Sequence, residues 1–212
     1  MVTVRTATRA DAPAIARILS EAFRDDPAWS VTLPEDETRH TKLTSYYLRR
    51  VRRHPQWVDV AMDDGRVVGA VLWQPPAAPG ALGTARRAIS GAALWTLGRL
   101  PLGRGARHTL QIEAYRPTEP HWYIRDIGTG PQARGKGVGS ALLAHRLRVV
   151  DHSANPLAFL ESTTPASRRL YERFGFEAVG SVPTLPGQSS TAMVRRLVDS
   201  ADQSDRPDGS AE

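Results

Sequence analysis

The stretch IGTGPQARGKGVGSALL, Ile127 to Leu143, narrows the possible folds of this chain more than any other. A β-favouring run from His121 to Thr129 enters it, and glycines at 135, 137 and 139 occupy the turn. An apolar stripe of Leu142, Leu143, Leu147 and Val150 leaves it on a helix predicted from Gly137 to His152. Missing side chains let backbone amides approach an oxyanion, while the helix start offers unpaired N–H groups and a partial positive charge. Arg134 and Lys136 add full charges. The pattern implies an α/β architecture and a phosphorylated ligand.

Three phosphate-binding loops compete for this turn. Gly130, Gly135 and Lys136 satisfy the first seven positions of a nucleotide-binding P-loop, but the eighth is Gly137, so the hydroxyl that ligates magnesium is missing. A dinucleotide fold needs G-x-G-x-x-G near the N-terminus, whereas here the third glycine is Ser140 and the turn lies late in the chain. The third loop rests on a resemblance carried by residues along most of the sequence.

A strand over Val2–Thr6 meets Asp11 and Pro13, a cap and first-turn pair, and the helix to Phe23 puts Ile15, Ile18, Leu19, Ala22 and Phe23 on one face. Asp26-Pro27 reads as a break, and a second helix is predicted from Pro34-Glu35 to Pro55, with Leu43, Tyr46, Tyr47, Leu48 and Val51 inward. Trp57–Met62 and Val67–Trp73 form a hairpin through Asp63-Asp64-Gly65. From Pro75 to Pro120, Leu82, Ala85, Ile89, Ala93, Leu97 and Leu100 fall at helical spacing, so helices are expected between two strands. A strand at Ala158–Ser162, a helix at Pro165–Phe174 and strands at Phe176–Ser181 and Thr191–Leu197 follow. The order gives a mixed α/β fold with a partly antiparallel sheet, one domain over residues 1–198, and a polar acidic tail at 199–212 that reads as disordered.

The chain has no cysteine, which excludes disulfides, thiolate nucleophiles and zinc–thiolate sites. Six histidines show no H-x-x-x-H pattern, so no metal is expected. The net charge is +6, but residues 199–212 carry five acidic side chains and one arginine, which leaves the body at +10. Such a surface suits a phosphorylated cofactor, nucleic acid or anionic lipid alike. Neither a signal-like N-terminus nor a membrane-length apolar run stands out, so the expected location is cytoplasmic, with no membrane partner.

Arg134-Gly135-Lys136-Gly137-Val138-Gly139 followed by Ser140-Ala141-Leu142-Leu143 resembles the [QR]-x-x-G-x-[GA] signature of the GCN5-related N-acetyltransferases (GNAT). LYERFGFEAVG, Leu170–Gly180, is similar to that family's C-terminal helix-to-strand element, and TVRTATRADAPAIARILSEAF to its opening strand and helix. Arg116–Trp122 and Phe159–Ser162 look most like puromycin N-acetyltransferase and its relatives. One departure is Thr164, seven residues before Tyr171, where many relatives carry asparagine. The resemblance implies a central mixed sheet of six to seven strands, flanked by helices and splayed between the fourth and fifth strands.

It also implies acetyl-CoA as co-substrate and a small-molecule amine as acceptor, with no metal and no nucleic acid, in a monomer or homodimer. An antibiotic such as puromycin is one such acceptor. A protein N-terminal or lysine acetyltransferase and a non-catalytic acyl-CoA-binding regulator are the alternatives. Arg134, Gly135, Lys136, Gly137, Val138, Gly139 and Ser140 would hold the CoA diphosphate, and the backbone of Ile127, Gly128 and Thr129 the pantetheine arm. Tyr171 matches the general acid; its other role is that of a packed aromatic. Glu161 is a carboxylate on the apolar strand AFLES, costly to bury without function or counter-charge, so it is a base, an ammonium partner or half of a salt bridge. Glu113, Glu119 and His121 are weaker candidates. Trp29, Tyr46 and Trp73, with Tyr47 and Trp95, are the aromatics expected to line the acceptor pocket.

Overall fold

The computed structural model describes residues 2–33, 36–76 and 103–197. The tail at 199–212, Trp95 and most of the helical pattern predicted after Pro75 lie outside them. Seven strands form one sheet in the order β1-β2-β3-β4-β5-β7-β6: β1 Thr3–Thr6, β2 Val58–Asp63, β3 Arg66–Gln74, β4 Trp122–Thr129, β5 Leu157–Ser162, β6 Glu177–Pro183 and β7 Ser189–Arg196. The β2–β3 hairpin turns through Asp64 and Gly65, both at positive φ (46° and 71°), the backbone twist that short antiparallel hairpins favour.

Every neighbouring pair is antiparallel except β4 and β5. That parallel ladder pairs Trp122–Ile124 with Ala158–Leu160 and then ends, although β4 continues to Thr129 and β5 to Ser162. The strands splay from there, as the resemblance implied, and open the β5-facing edge of β4. Across β3, Leu72 faces Asp126 while Trp73 faces Ile124, so Arg125 is the extra residue of a bulge. The bulge swaps the faces of β4. Ile124 joins the core under one helix layer, whereas Asp126 turns toward Tyr47 on the opposite layer.

Helices α1 (Ala12–Ala22) and α3 (Arg39–Arg53) cover one face, burying Ile15, Leu19, Leu43, Tyr47 and Val51 against Val58, Val60, Ala70 and Leu72. Helix α5 (Val138–Asp151) covers the other with Leu142, Leu143, Leu147 and Val150. It is also pinned by Arg146, whose guanidinium donates two hydrogen bonds, 2.6 and 2.7 Å, to the fully buried Asp59 of β2. A third cluster around Phe159 gathers Ile112 of α4 (Arg104–Tyr115), Val182, Ala192 and Val194. The last helix, α6, is Pro165–Glu172.

Asp26-Pro27, read as a break, instead starts a short helix, α2 (Pro27–Thr32). Asp26 is extended (ψ 131°), its Oδ1 accepts from the N–H groups of Ala28 and Trp29 at 3.0 Å, and Pro27 is preset for the first helical position. Helix α3 begins at Arg39, later than Pro34-Glu35, which are outside the described residues.

Candidate active site

The splay creates a cleft of about 330 Å³. Helices α1 and α2 contribute Phe23, Asp26 and Trp29; β4 contributes Tyr123, Arg125, Asp126 and Ile127; α4 contributes His108; β5 and α6 contribute Glu161 and Tyr171. Glu161, Tyr171, Trp29 and Ile127, predicted at three different tasks, therefore share one cavity.

Tyr171 is buried at the end of α6 against Phe176. Burial, and then the negative charges of Asp26 and Asp126, push its phenol well above the ordinary tyrosine range. It stays protonated at neutral pH, the form that can donate. Glu161 Oε1 lies 2.9 Å from His108 Nε2, a partner that carries counter-charge when its ring is protonated. Burial disfavours the charged ring of His108, but the contact with Glu161 outweighs it and holds the histidine above its usual value.

Asp26 and Asp126 are the other carboxylates of the cleft, and burial raises both. Both oxygens of Asp26 and one of Asp126 accept hydrogen bonds. Asp26 Oδ2 accepts from the Thr163 hydroxyl at 2.6 Å, joining the α1–α2 wall to the end of β5. Asp126 Oδ1 accepts from the Tyr47 hydroxyl (3.2 Å) and from Trp29 Nε1 (3.4 Å). Trp29, Tyr46 and Tyr47 form an edge-to-face cluster with ring separations of 5.1 to 6.1 Å, and Tyr46 accepts a 3.3 Å hydrogen bond from Arg125. Trp73 is elsewhere: it is 1% exposed, packed in the core under α5, and borders a separate hollow with Arg50, His54 and Trp57.

From the cleft β4 runs to the glycine turn. Gly135 and Gly137 both sit at φ 75°, a conformation costly for other residues, and an added Cβ would meet nothing within 4 Å at either. Backbone shape, not crowding, requires these glycines. Gly137 caps α5 without a side chain, and the first helical hydrogen bond is Ala141 N–H to Gly137 O. The N–H groups of Val138, Gly139 and Ser140 thus have no helical acceptor. Arg134 and Lys136 are exposed beside them, and Lys136 also borders a groove with Asp63 and Asp64. The Val138 side chain is core, 2% exposed, so any ligand contact there is through its amide. Gly128 has a packing task of its own, because a Cβ would come within 2.9 Å of Leu19 Cδ2 and 3.0 Å of Ala22 Cβ. Free amides at a helix start, two cations and the unpaired β4 edge fit a diphosphate with an extended arm. Thr164, in place of the family's asparagine, caps α6 by accepting from Ser167 N–H at 3.1 Å.

The sequence reading missed Asp26, His108, Tyr123, Arg125 and Asp126. Asp26 was legible as a cap followed by proline, the logic applied to Asp11. Arg125-Asp126 is a charged pair inside a central strand, the signal that picked out Glu161. His108 lies on a polar helix and left no trace.

The acetyltransferase (GNAT) family model matches residues 13–176, from the first turn of α1 to the residue before β6, and the chain belongs to that family. It is thereby an N-acetyltransferase of a family whose co-substrate is acetyl-CoA. Among solved structures it is similar to one described as histone acetyltransferase HPA2 and related acetyltransferase from Corynebacterium glutamicum, at 29% identity and TM-score 0.66 over 93% of this chain and 97% of the other. It shares its fold with an agmatine N-acetyltransferase (19% identity, TM-score 0.60, 92% and 99% covered). The fold is also that of a Drosophila melanogaster polyamine N-acetyltransferase that forms N-acetylagmatine (18%, 0.56, 93% and 100%). Among the described residues no helix is long and apolar enough to cross a membrane.

Proposed function

We propose that the chain moves the acetyl group of acetyl-CoA onto the primary amine of a small molecule bound in the β4–β5 cleft. The observation that carries this reading is that Glu161 and Tyr171, a base and an acid from different elements, line one cavity at the splay. Acetyl-CoA supplies the activated thioester when bound. The amides of Gly135, Gly137, Val138, Gly139 and Ser140, with the side chains of Arg134 and Lys136, would hold its diphosphate, and the open edge at Ile127, Gly128 and Thr129 its extended arm, where an N–H can polarise the thioester carbonyl. Glu161 binds the acceptor's ammonium and takes one proton from it, which frees the lone pair that forms the new C–N bond and is later released to solvent; the nitrogen's second proton leaves as that bond forms and replaces the one that Tyr171 gives to sulfur. Tyr171, kept protonated by its surroundings, gives its proton to sulfur as the C–S bond breaks.

Two features favour a small acceptor over a polypeptide. The cavity is about 330 Å³, and the Asp26–Thr163 hydrogen bond ties its walls together where an extended peptide would need a through passage. Three carboxylates and the aromatic rings of Phe23, Trp29 and Tyr123 line the cleft and suit a cationic amine with an apolar body, a class that includes polyamines, arylalkylamines and antibiotics such as puromycin. The names of the agmatine and polyamine enzymes lend weight to this choice. Thiol release from acetyl-CoA should be measured with agmatine, spermidine, phenethylamine, puromycin and a lysine-bearing peptide. A small amine is expected to give the highest kcat/KM, and preference for the peptide would overturn the small-acceptor reading.

A further inference from the structure

Three carboxylates reach the cleft, and their partners differ. Both oxygens of Asp26 accept, from two backbone N–H groups and the Thr163 hydroxyl, and one oxygen of Asp126 accepts from Tyr47 and Trp29, so the hydrogen-bond donors to both are neutral. Glu161 instead meets a titratable base, His108 of α4, at 2.9 Å. The contact is close but bent, since neither atom makes a straight hydrogen bond, and both ring nitrogens of His108 and Glu161 Oε1 are sealed from solvent. His108 therefore has no nitrogen to offer a ligand directly. Glu161 keeps 12% of its side-chain surface, and it lines the cleft.

We infer that His108 is a positioning residue for acetyl transfer: it anchors one oxygen of Glu161, so that the other faces the acceptor amine. The inference rests on the acetyl-transfer reading above, in which Glu161 takes the proton. The groups facing the pair come from four elements. They are Asp26 before α2, Tyr123, Arg125 and Asp126 of β4, Tyr171 of α6, and the neutral carbonyl of Pro183 at the end of β6. Glu161, the Pro183 carbonyl and Asp26 all favour the protonated ring. A proton on the ring sets an imidazolium against the Glu161 carboxylate, with both facing atoms sealed from solvent. Helix α4 matters for the same reason: it packs on β6 and α2, and so carries the anchor to the back wall of the cleft.

Two measurements on the full chain test this. The first follows the six histidines by NMR with labelled imidazoles, His108 being assigned from the spectrum of His108→Gln. Glu161→Gln is expected to lower the titration midpoint of His108 by about one pH unit or more, because an opposing charge at this distance is removed. An unmoved midpoint overturns the inference. The second uses the fastest amine among agmatine, spermidine, phenethylamine and puromycin. His108→Ala should lower kcat by about tenfold or more while KM for acetyl-CoA stays within about twofold, and His108→Gln, which retains a donor, should restore most of the loss. Equal losses in the two variants would also overturn it. If no amine turns over, the acetyl-transfer reading beneath it fails; the His108 titration does not depend on turnover and separates the two failures.

Discussion

Gly137→Ala isolates the cradle from the fold. Gly137 sits at φ 75° with nothing within 4 Å of an added Cβ, and Gly187, in the β6–β7 turn, sits at φ 74° with the same empty surroundings. Alanine at either site therefore costs backbone strain alone, about 1 to 2 kcal/mol. For a chain of this size that is a fall in Tm of roughly 2 to 8 °C. The two variants should unfold alike, by calorimetry or urea. They should differ in binding, because a methyl at position 137 stands among the N–H groups that start α5, whereas position 187 is on a different turn. Titration calorimetry with acetyl-CoA should show Gly187→Ala unchanged and Gly137→Ala weaker by at least about tenfold, or about 1.4 kcal/mol. Equal affinities would refute the cradle argument, and a much larger stability loss at 137 than at 187 would refute the strain estimate.

Tyr171→Phe removes only a hydroxyl from a packed ring, so kcat should fall by about a hundredfold or more while acetyl-CoA affinity by calorimetry stays put; unchanged turnover would leave Tyr171 a core aromatic. Arg146→Met should destabilise by about 3 to 5 kcal/mol in urea unfolding, because the buried Asp59 is left unpaired, whereas Asp59→Leu with Arg146→Met should cost much less. The Asp26 carboxyl is raised, chiefly by burial, so the folded state binds its proton more tightly than the unfolded chain does. That contribution is complete below the ordinary carboxylate range and is lost as pH rises through the raised value. Wild type should therefore lose stability relative to Asp26→Asn as pH rises above the ordinary carboxylate range, with both proteins followed by urea unfolding; parallel curves would contradict it.

The elements of this fold were legible wherever local chemistry set them. Asp64-Gly65 predicts its hairpin because two consecutive residues must reach positive φ, and Leu142, Leu143, Leu147 and Val150 mark α5 by period. The cradle was legible too, since a strand, spaced glycines and a helix are contiguous in sequence. The cleft was not. It depends on where the β4–β5 ladder stops, after Ile124 and Leu160, and no residue announces that end. Its lining is also non-local: Asp26 meets Thr163 across 137 positions, and His108 reaches Glu161 from another helix. Trp73 shows the converse. It follows the regular alternation of β3, which puts Val71 and Trp73 in the core under α5 and Ala70 and Leu72 on the other face.

The central claim is that main-chain amides at the start of α5 hold the diphosphate of acetyl-CoA. Amide NMR of the labelled chain during acetyl-CoA titration tests it most directly. The N–H signals of Gly135, Gly137, Val138, Gly139 and Ser140 should shift in step, saturate, and become protected from exchange. Saturable binding that leaves these five amides unmoved would contradict the account.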